Sequence, residues 1–364
     1  MKPVTLWVDA IGPKSGGISR YTWELAKGLS SRDDLAVQFF ARNQVIEDPA
    51  LLVRGDPLPR RPNKLRRWWD QRALVSSIIH GPNYFLPSFA EAGIITVHDL
   101  SVFRFPETHP AERIAAFERE FPSSLARAVH VITDTETVRR ELIETFNVSP
   151  ESVTAVPLGV DPAFRPMPVD ELAPSLEWWG LQPKHYGLCV STIEPRKRIS
   201  QLLAAWRRLP RSLRDSYPLV LCGGAGWQNE TLRSEIEDGV TEGWLRYLGF
   251  VEEALLPQLY AGAALFIYPS IYEGFGLPPV EAMASGVPVM VSSHSCLPEV
   301  CGDAARYVDP DDADGFAMAL EQNLTDGDWR TASVRRGLSR ALELSWERCV
   351  DRTVEIYQKV ASAA

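Results

Sequence analysis

Ala264-Leu-Phe-Ile-Tyr268-Pro-Ser-Ile-Tyr-Glu273-Gly-Phe-Gly-Leu-Pro278-Pro-Val-Glu281-Ala-Met-Ala-Ser-Gly286 is the stretch that decides the fold. Its first five residues have the length and apolar content of a buried strand. The diproline at 278–279, the run behind it and Gly286 read as a short helix entered at proline and stopped at glycine. The chain therefore turns from strand to helix across residues 273–277. Gly274 and Gly276 open dihedrals closed to other residues, and Phe275, Gly276 and Leu277 bring backbone N–H groups to the positive end of the helix dipole, which suits a phosphate. A diphosphate at the carboxyl edge of a parallel sheet is the natural occupant. Glu281, about one turn into the helix, returns its carboxylate toward the same mouth, where it can accept both hydroxyls of a ribose. Glu273, on the loop, reaches the other side of the phosphates, where a sugar hangs. Taken singly, Glu281 is a helix acid favoured by the dipole and Glu273 a solvated loop residue. Their spacing around a glycine-flanked turn and a diproline start is far more specific.

Outward from this stretch, apolar runs with strand character alternate with helical periodicity. In the first half, strands are expected at 4–9, 37–41, 77–80, 94–98, 130–133 and 153–157, and helices at 18–29, 111–127 and 136–146. A proline-punctuated stretch from Pro162 through Pro174 reads as a linker. In the second half, strands at 186–191, 219–222, 246–249 and 265–268 alternate with helices near 199–209, 229–239 and 253–261. Such alternation predicts an α/β chain with one doubly wound parallel sheet per half, leaving a cleft between the carboxyl edges of two facing domains.

Composition agrees. A chain of 364 residues with 45% apolar content is long enough for two cores. It has no run of the roughly 18 or more apolar residues that spans a bilayer, and its first residues lack a signal-peptide pattern, so a cytoplasmic protein is expected. Cys189, Cys222, Cys296, Cys301 and Cys349 form no Cys-x-x-Cys pair, which suits reduced, packed thiols and not zinc. A formal charge of −9 argues against a protein that coats nucleic acid. One segment departs from that balance: residues 54–72 hold seven basic residues (54, 60, 61, 64, 66, 67, 72) against two acids, a local charge of +5, around Trp68 and Trp69. A solvated loop, a packed turn and an anchor on an anionic membrane surface all fit such a segment.

Gly16-Gly17 follows the first strand and opens a helix, without the spacing of a dinucleotide fingerprint or a Walker A loop. Arg196 and Lys197 follow a strand and a proline, where a leaving diphosphate needs its charge neutralised; arginine offers a planar fork and lysine a compact charge. His98 ends an apolar strand and should emerge at a rim with Asp99. The string Asp309-Pro-Asp-Asp-Ala-Asp314 contains Asp-x-Asp, but it directly precedes an apolar-periodic run, and helix capping explains it better than a metal site.

With the glutamates at 273 and 281, the Glu194-Pro-Arg196-Lys197-Arg198 element, Gly16-Gly17, Val97-His98-Asp99-Leu100, Val156-Pro-Leu-Gly159-Val-Asp161 and Ser345-Trp346-Glu347-Arg348, the chain resembles, over nearly its whole length, the retaining glycosyltransferases of family 4, whose fold is called GT-B. The resemblance implies a Rossmann-like acceptor-binding domain over 1–168, a Rossmann-like donor-binding domain over 169–345, and a last helix at 346–361 crossing back onto the first domain. It implies that Gly16 and Gly17 approach the donor's sugar and phosphate, that His98 holds the transferred sugar as a positioner, and that Asp161 is a weaker candidate of the same kind. Phe250 and Val251 meet the nucleotide base, and Arg196 and Lys197 hold the diphosphate with no metal or other cofactor. Many relatives carry Gly-Arg six residues upstream of the lysine, where this chain has Ser191, and Arg196 is expected to take over that arginine's role. The run at 98–107 looks most like mannosyl- or rhamnosyltransferases of bacterial surface polysaccharide assembly. The implied reaction moves a hexose, mannose from GDP-mannose or a rhamnose from GDP-rhamnose, to a glycan or lipid-linked acceptor. A UDP- or dTDP-sugar transferase, a nucleotide-sugar epimerase and a non-catalytic nucleotide-sugar sensor are the alternatives.

Overall fold

The computed structural model describes residues 2–13, 16–60, 62–224 and 230–363. The chain divides into two compact units: residues 1–103, 111–159 and 345–364, and residues 104–110 and 160–344. Lys14 and Ser15 of the glycine loop, Arg61 and the Arg66 side chain of the basic segment, and Asn229 of the expected 229–239 helix lie outside what is described.

The first unit is built on seven strands: β1 Val4–Trp7, β2 Val37–Ala41, β3 Gln44–Ile46, β4 Ile78–Gly81, β5 Gly93–Val97, β6 Ala128–Thr133 and β7 Val153–Ala155. They lie in the order β3-β2-β1-β4-β5-β6-β7. All neighbours are parallel except β2 and β3, which pair antiparallel with Phe40 opposite Val45. Arg42 and Asn43 between them adopt left-handed dihedrals (φ 48° and 64°), the conformation of a tight hairpin turn, so the expectation of purely parallel pairing is corrected at this edge. The order reverses between β1 and β4, the point at which a doubly wound sheet opens a crevice beyond its strand ends. The Ala111–Arg127 helix packs Phe117 and Phe121 on this sheet, where they join Tyr84, Phe103 and Phe146 in an aromatic cluster. The last helix, Trp346–Ala363, packs against the Gly17–Ser30 helix within this same unit. It is tied in by a buried polar chain: Tyr357 Oη to His80 Nδ1 at 2.7 Å, His80 Nε2 to Thr96 Oγ1 at 2.8 Å, and Thr96 to Tyr21 Oη at 2.9 Å.

The second unit holds β8 Gly187–Val190, β9 Leu219–Cys222, β10 Leu245–Gly249, β11 Leu265–Tyr268, β12 Val289–Ser292 and β13 Ala305–Val308. Their order is β10-β9-β8-β11-β12-β13, every pair parallel, with the reversal between β8 and β11. β9, β11 and β12 are buried at every residue, as strands covered on both faces must be. Trp206, fully buried, packs over Gly187, where a Cβ would meet its ring at 2.3 Å, and shares a core with Leu219 and Leu221.

The proline-rich linker expectation is corrected in part. Residues 169–177 form a helix with Pro174 inside it, because Leu172 and Leu176 are wholly buried on its inner side, and that packing overrides the missing N–H. The five cysteines are buried, and none is in a disulfide. Among the described residues no helix is long and apolar enough to cross a membrane.

Candidate active site

The two loops flanking the reversal of the second sheet carry the charged groups. After β8, Glu194 precedes a single 3-10 turn, Pro195–Lys197, which brings Arg196 and Lys197 inward; both are buried. After β11, Glu273 reaches the same place from the other strand. Arg196 Nη2 donates to Glu194 Oε1 at 2.6 Å, and Nη1 donates to the Tyr272 carbonyl and lies 3.7 Å from Glu273 Oε2. Lys197 Nζ donates to Glu273 Oε1 and to Tyr268 Oη, the latter at 3.1 Å, and stands 4.0 Å from Glu194. Two cations thus face two carboxylates, each side chain at most 12% exposed. Burial pushes the Glu273 carboxyl up, but Lys197 and then Arg196 outweigh it and hold Glu273 below its usual range. Burial, with Glu273 second, pushes the Tyr268 phenol far up, so it stays a neutral hydrogen-bonding partner.

The loop itself is fixed from below. The Glu273 N–H donates to Ser295 Oγ at 3.1 Å while Ser295 donates to the Glu273 carbonyl at 2.7 Å, and Cys296 Sγ donates to the Phe275 carbonyl at 3.3 Å. Gly276 caps the Leu277–Ala284 helix in the left-handed region (φ 92°), and a Cβ there meets Leu297 at 2.8 Å, two reasons for glycine at this position. Pro278 and Pro279 carry no N–H, so the helix start offers fewer donors than the usual four. Gly276 and Leu277 remain as backbone donors without a protein partner among the described residues. Glu281, about one turn inside this helix, is buried.

Phe250 and Val251 follow β10 at the same carboxyl edge, and Phe250 is 64% exposed. Asp161 caps its own turn, accepting from the Ala163 N–H at 2.8 Å, and is not joined to the cluster. Ser191, at the position lacking arginine, donates its hydroxyl to the Thr192 carbonyl at 3.0 Å and its N–H to the Cys222 carbonyl at 2.8 Å. Asp312 accepts from the Gly315 N–H at 3.0 Å and caps the Ala313–Thr325 helix, while Asp311 pairs with Arg198 and Asp314 with Arg208. The acidic string is thus occupied with capping and ion pairs, and no cluster of metal-ligating side chains occurs among the described residues.

In the first unit, the expectation that His98 holds a sugar meets a ring whose nitrogens are both taken. Nδ1 lies 2.8 Å from Asp134 Oδ2 and Nε2 lies 2.9 Å from the Pro82 carbonyl. A carbonyl only accepts, so Nε2 carries a proton. Burial disfavours the charged ring, yet the Asp134 carboxylate outweighs burial and raises His98 above its ordinary value. Around the sheet reversal, Gly16 and Gly17 beyond β1 and Asn83 and Phe85 beyond β4 line a cavity of 480 Å³ whose wall includes Arg113. Sequence reasoning quoted Glu194 inside a motif without giving it a role, and it missed Asp134, Tyr268 and Ser295. The signal was available in their position: each polar group stands at, or just beyond, the carboxyl end of a buried strand.

The basic segment forms a helix, Lys64–Leu74. Trp68 and Trp69 are 49% and 59% exposed and meet edge to face, with Arg72 over the Trp68 ring. A packed turn is therefore excluded.

The family described as Glycosyl transferases group 1 matches residues 181–339, and Glycosyltransferase Family 4 matches residues 15–164. The chain is 37% identical to O-antigen chain mannosyltransferase B of Escherichia coli, over 94% of this chain and 96% of that protein. Among solved structures, sucrose-phosphate synthase from Thermosynechococcus elongatus superposes with a TM-score of 0.77 at 21% identity, covering 100% of both chains. Anabaena HepE in complex with UDP and glucose gives a TM-score of 0.76 at 18% identity, covering 98% of this chain and 100% of that one. These two share the GT-B fold of paired parallel sheets with this chain. Both halves match family domains, and a relative aligns almost end to end. The chain therefore belongs to the group 1, family 4 glycosyltransferases, and it is a glycosyltransferase.

Proposed function

We propose that the enzyme moves mannose from GDP-mannose to a glycan or lipid-linked acceptor in the assembly of a surface polysaccharide, retaining the anomeric configuration and using no metal. The observation that carries this reading is the buried pairing of Arg196 and Lys197 with Glu273 at the reversal of the second sheet. The mannosyl choice is supported by the E. coli relative, which matches along nearly all of both chains.

In this mechanism the bond between the sugar's anomeric carbon and the diphosphate oxygen breaks as the acceptor hydroxyl forms its bond on the same face. The hydroxyl proton passes to the departing phosphate oxygen. Arg196, Lys197 and the N–H groups of Gly276 and Leu277 meet the charge that grows on that oxygen. Glu281 accepts the ribose hydroxyls, and Glu273, held by Lys197, aligns the sugar. Phe250 and Val251 meet the base. The exposed Trp68–Trp69 pair, among basic residues, seats the enzyme on anionic lipid, where a lipid-linked acceptor resides.

The test is nucleotide release from a panel of GDP-, UDP- and dTDP-sugars, with and without mannoside and lipid-linked acceptors, followed by NMR assignment of the product anomer. Acceptor-dependent release of GDP from GDP-mannose, an α-product and full activity in EDTA are expected. Conversion of the donor without an acceptor, an inverted product, or activity lost in EDTA and restored by Mg²⁺ or Mn²⁺ each overturns the corresponding part.

A further inference from the structure

A second cavity in the first unit, of 440 Å³, lies on the sheet face beside β1 and β2. Its size falls within the range of about 300–1,000 Å³ typical of small-molecule sites. It is distinct from the glycine-loop cavity, but Phe85 lines both. Trp7 and Phe89 add partly exposed ring faces to its wall, and Phe40 lies behind, edge to face with Phe89 at 5.1 Å.

The cavity is held in shape by its own loop. Tyr84 adopts left-handed dihedrals (φ 64°), uncommon for so bulky a residue, which turns Phe85 toward the cavities. Gly81 permits that turn, since a Cβ there falls 1.9 Å from the Phe85 carbonyl oxygen. The Leu86 N–H donates to Ser124 Oγ at 3.1 Å, and Arg127 donates to the carbonyls of Pro87 and Ala90. A wall fixed before the ligand arrives spares the cost of ordering it.

The charges of this cavity cancel locally. Asp9 accepts from Trp7 Nε1 at 2.7 Å and from the Arg42 N–H, Arg119 pairs with Glu120, and Arg127 is spent on backbone carbonyls. Such a lining offers no net charge to a phosphate, and its charged rim disfavours an acyl chain. Ring faces bordered by hydrogen-bonding groups suit a neutral, hydroxyl-rich ring that stacks through its C–H face.

We propose that this cavity is a distal saccharide subsite that holds the sugar units preceding the acceptor's reactive end, while that end occupies the Gly16–Gly17 cavity beyond Phe85. The inference rests on the transferase reading above and adds that the acceptor is a chain of several sugars, gripped at a distance from the chemistry.

The probe is a series of α-mannosides from one to four units, titrated calorimetrically without donor and then assayed for transfer from GDP-mannose. The tetrasaccharide is expected to bind about tenfold or more tightly than the monosaccharide, a difference of ~1.4 kcal/mol per tenfold, and kcat/KM should rise with length. Trp7→Ala flattens both series and Trp7→Phe restores them. Ser88→Trp fills the cavity from its exposed rim and flattens them without touching the core, which covers the case in which Trp7→Ala fails to fold. Equal affinity for all four lengths, or a length dependence untouched by Trp7→Ala and Ser88→Trp in folded protein, overturns the subsite. Length-dependent binding that these variants abolish, with no transfer from any donor, supports the subsite and overturns the donor reading instead.

Discussion

Replacing Glu273 by glutamine preserves the side chain's size and removes one charge from a cluster in which two cations face two carboxylates. Arg196 retains Glu194 at 2.6 Å, but the carboxylate left to Lys197 is that of Glu194 at 4.0 Å, with the neutral Tyr268 hydroxyl at 3.1 Å, so a buried ammonium is left nearly without a counter-charge. Breaking one side of a buried pair costs about 3–5 kcal/mol. For a domain of about 150–250 residues that lowers the melting temperature by roughly 6–20 °C, at about 2–4 °C per kcal/mol. A nucleoside diphosphate supplies the missing negative charge, so GDP should raise the variant's melting temperature more than it raises that of wild type. Transfer should nonetheless fall by about 100-fold, because the sugar loses the group that aligns it. Melting curves with and without GDP, calorimetric titration and steady-state rates measure the three quantities on one preparation. Unchanged melting, or GDP affinity lost with turnover intact, refutes the assignment of Glu273 to the sugar side of a charge-neutral cluster.

Glu281→Ala should weaken GDP binding by about 10- to 100-fold, the equivalent of about 1.5–3 kcal/mol for hydrogen bonds to a charged group, and leave kcat close to wild type; calorimetry showing undiminished GDP affinity sinks the ribose role. His80 is pushed down to about 3 by burial and then by His98, so between about pH 6.5 and 3 the unfolded chain takes up a proton that the folded one refuses. Its stabilising contribution is present above pH 6.5 and is lost on acidification, at up to about 1.4 kcal/mol per pH unit. Melting temperature should therefore fall less steeply from pH 7 to pH 4.5 in His80→Gln, and coincident slopes count against this source of acid sensitivity. Trp68→Ser and Trp69→Ser combined with Arg66→Glu and Arg67→Glu should abolish co-sedimentation with phosphatidylserine vesicles while melting stays unchanged, because both indoles are already exposed; wild-type protein that ignores such vesicles ends the membrane proposal.

The parts of the fold legible in the sequence are those written by local periodicity. The Ala111–Arg127 and Glu136–Phe146 helices and the strands Leu219–Cys222 and Leu265–Tyr268 fall where their apolar spacing places them. β3 escaped because three residues carry too little pattern, and its antiparallel pairing depends on left-handed turn residues, Arg42 and Asn43, that are not glycine. The Val169–Glu177 helix escaped because Pro174 reads as a breaker, while the burial that overrides it comes from elsewhere in the fold. At the site, the strand–turn–helix around Glu273 and Glu281 was legible because its glycines and prolines act on their own neighbours. The partner Asp134 was not, since its pairing with His98 joins the ends of two different strands, and no periodicity records which strand ends become neighbours; Glu194 pairs within its own loop, two residues from Arg196, where a lone acid before a basic turn carries no pattern of its own.

The first unit takes its last helix from residues that follow the whole second unit in the chain, a connectivity that sets a schedule for synthesis. From residue 159 to residue 345 a ribosome working at about 5–20 residues per second needs about 10–40 s. Throughout that interval His80 on β4 has no Tyr357 to share a hydrogen bond with, and the apolar side of the Gly17–Ser30 helix, including the Gly28 notch that later receives Val350, lies uncovered. The second unit, nearly contiguous in sequence, has meanwhile emerged in full. The nascent protein therefore passes through a stage in which its second unit is complete and its first unit still lacks its closing helix. It is at that stage that a chaperone finds exposed apolar surface to hold.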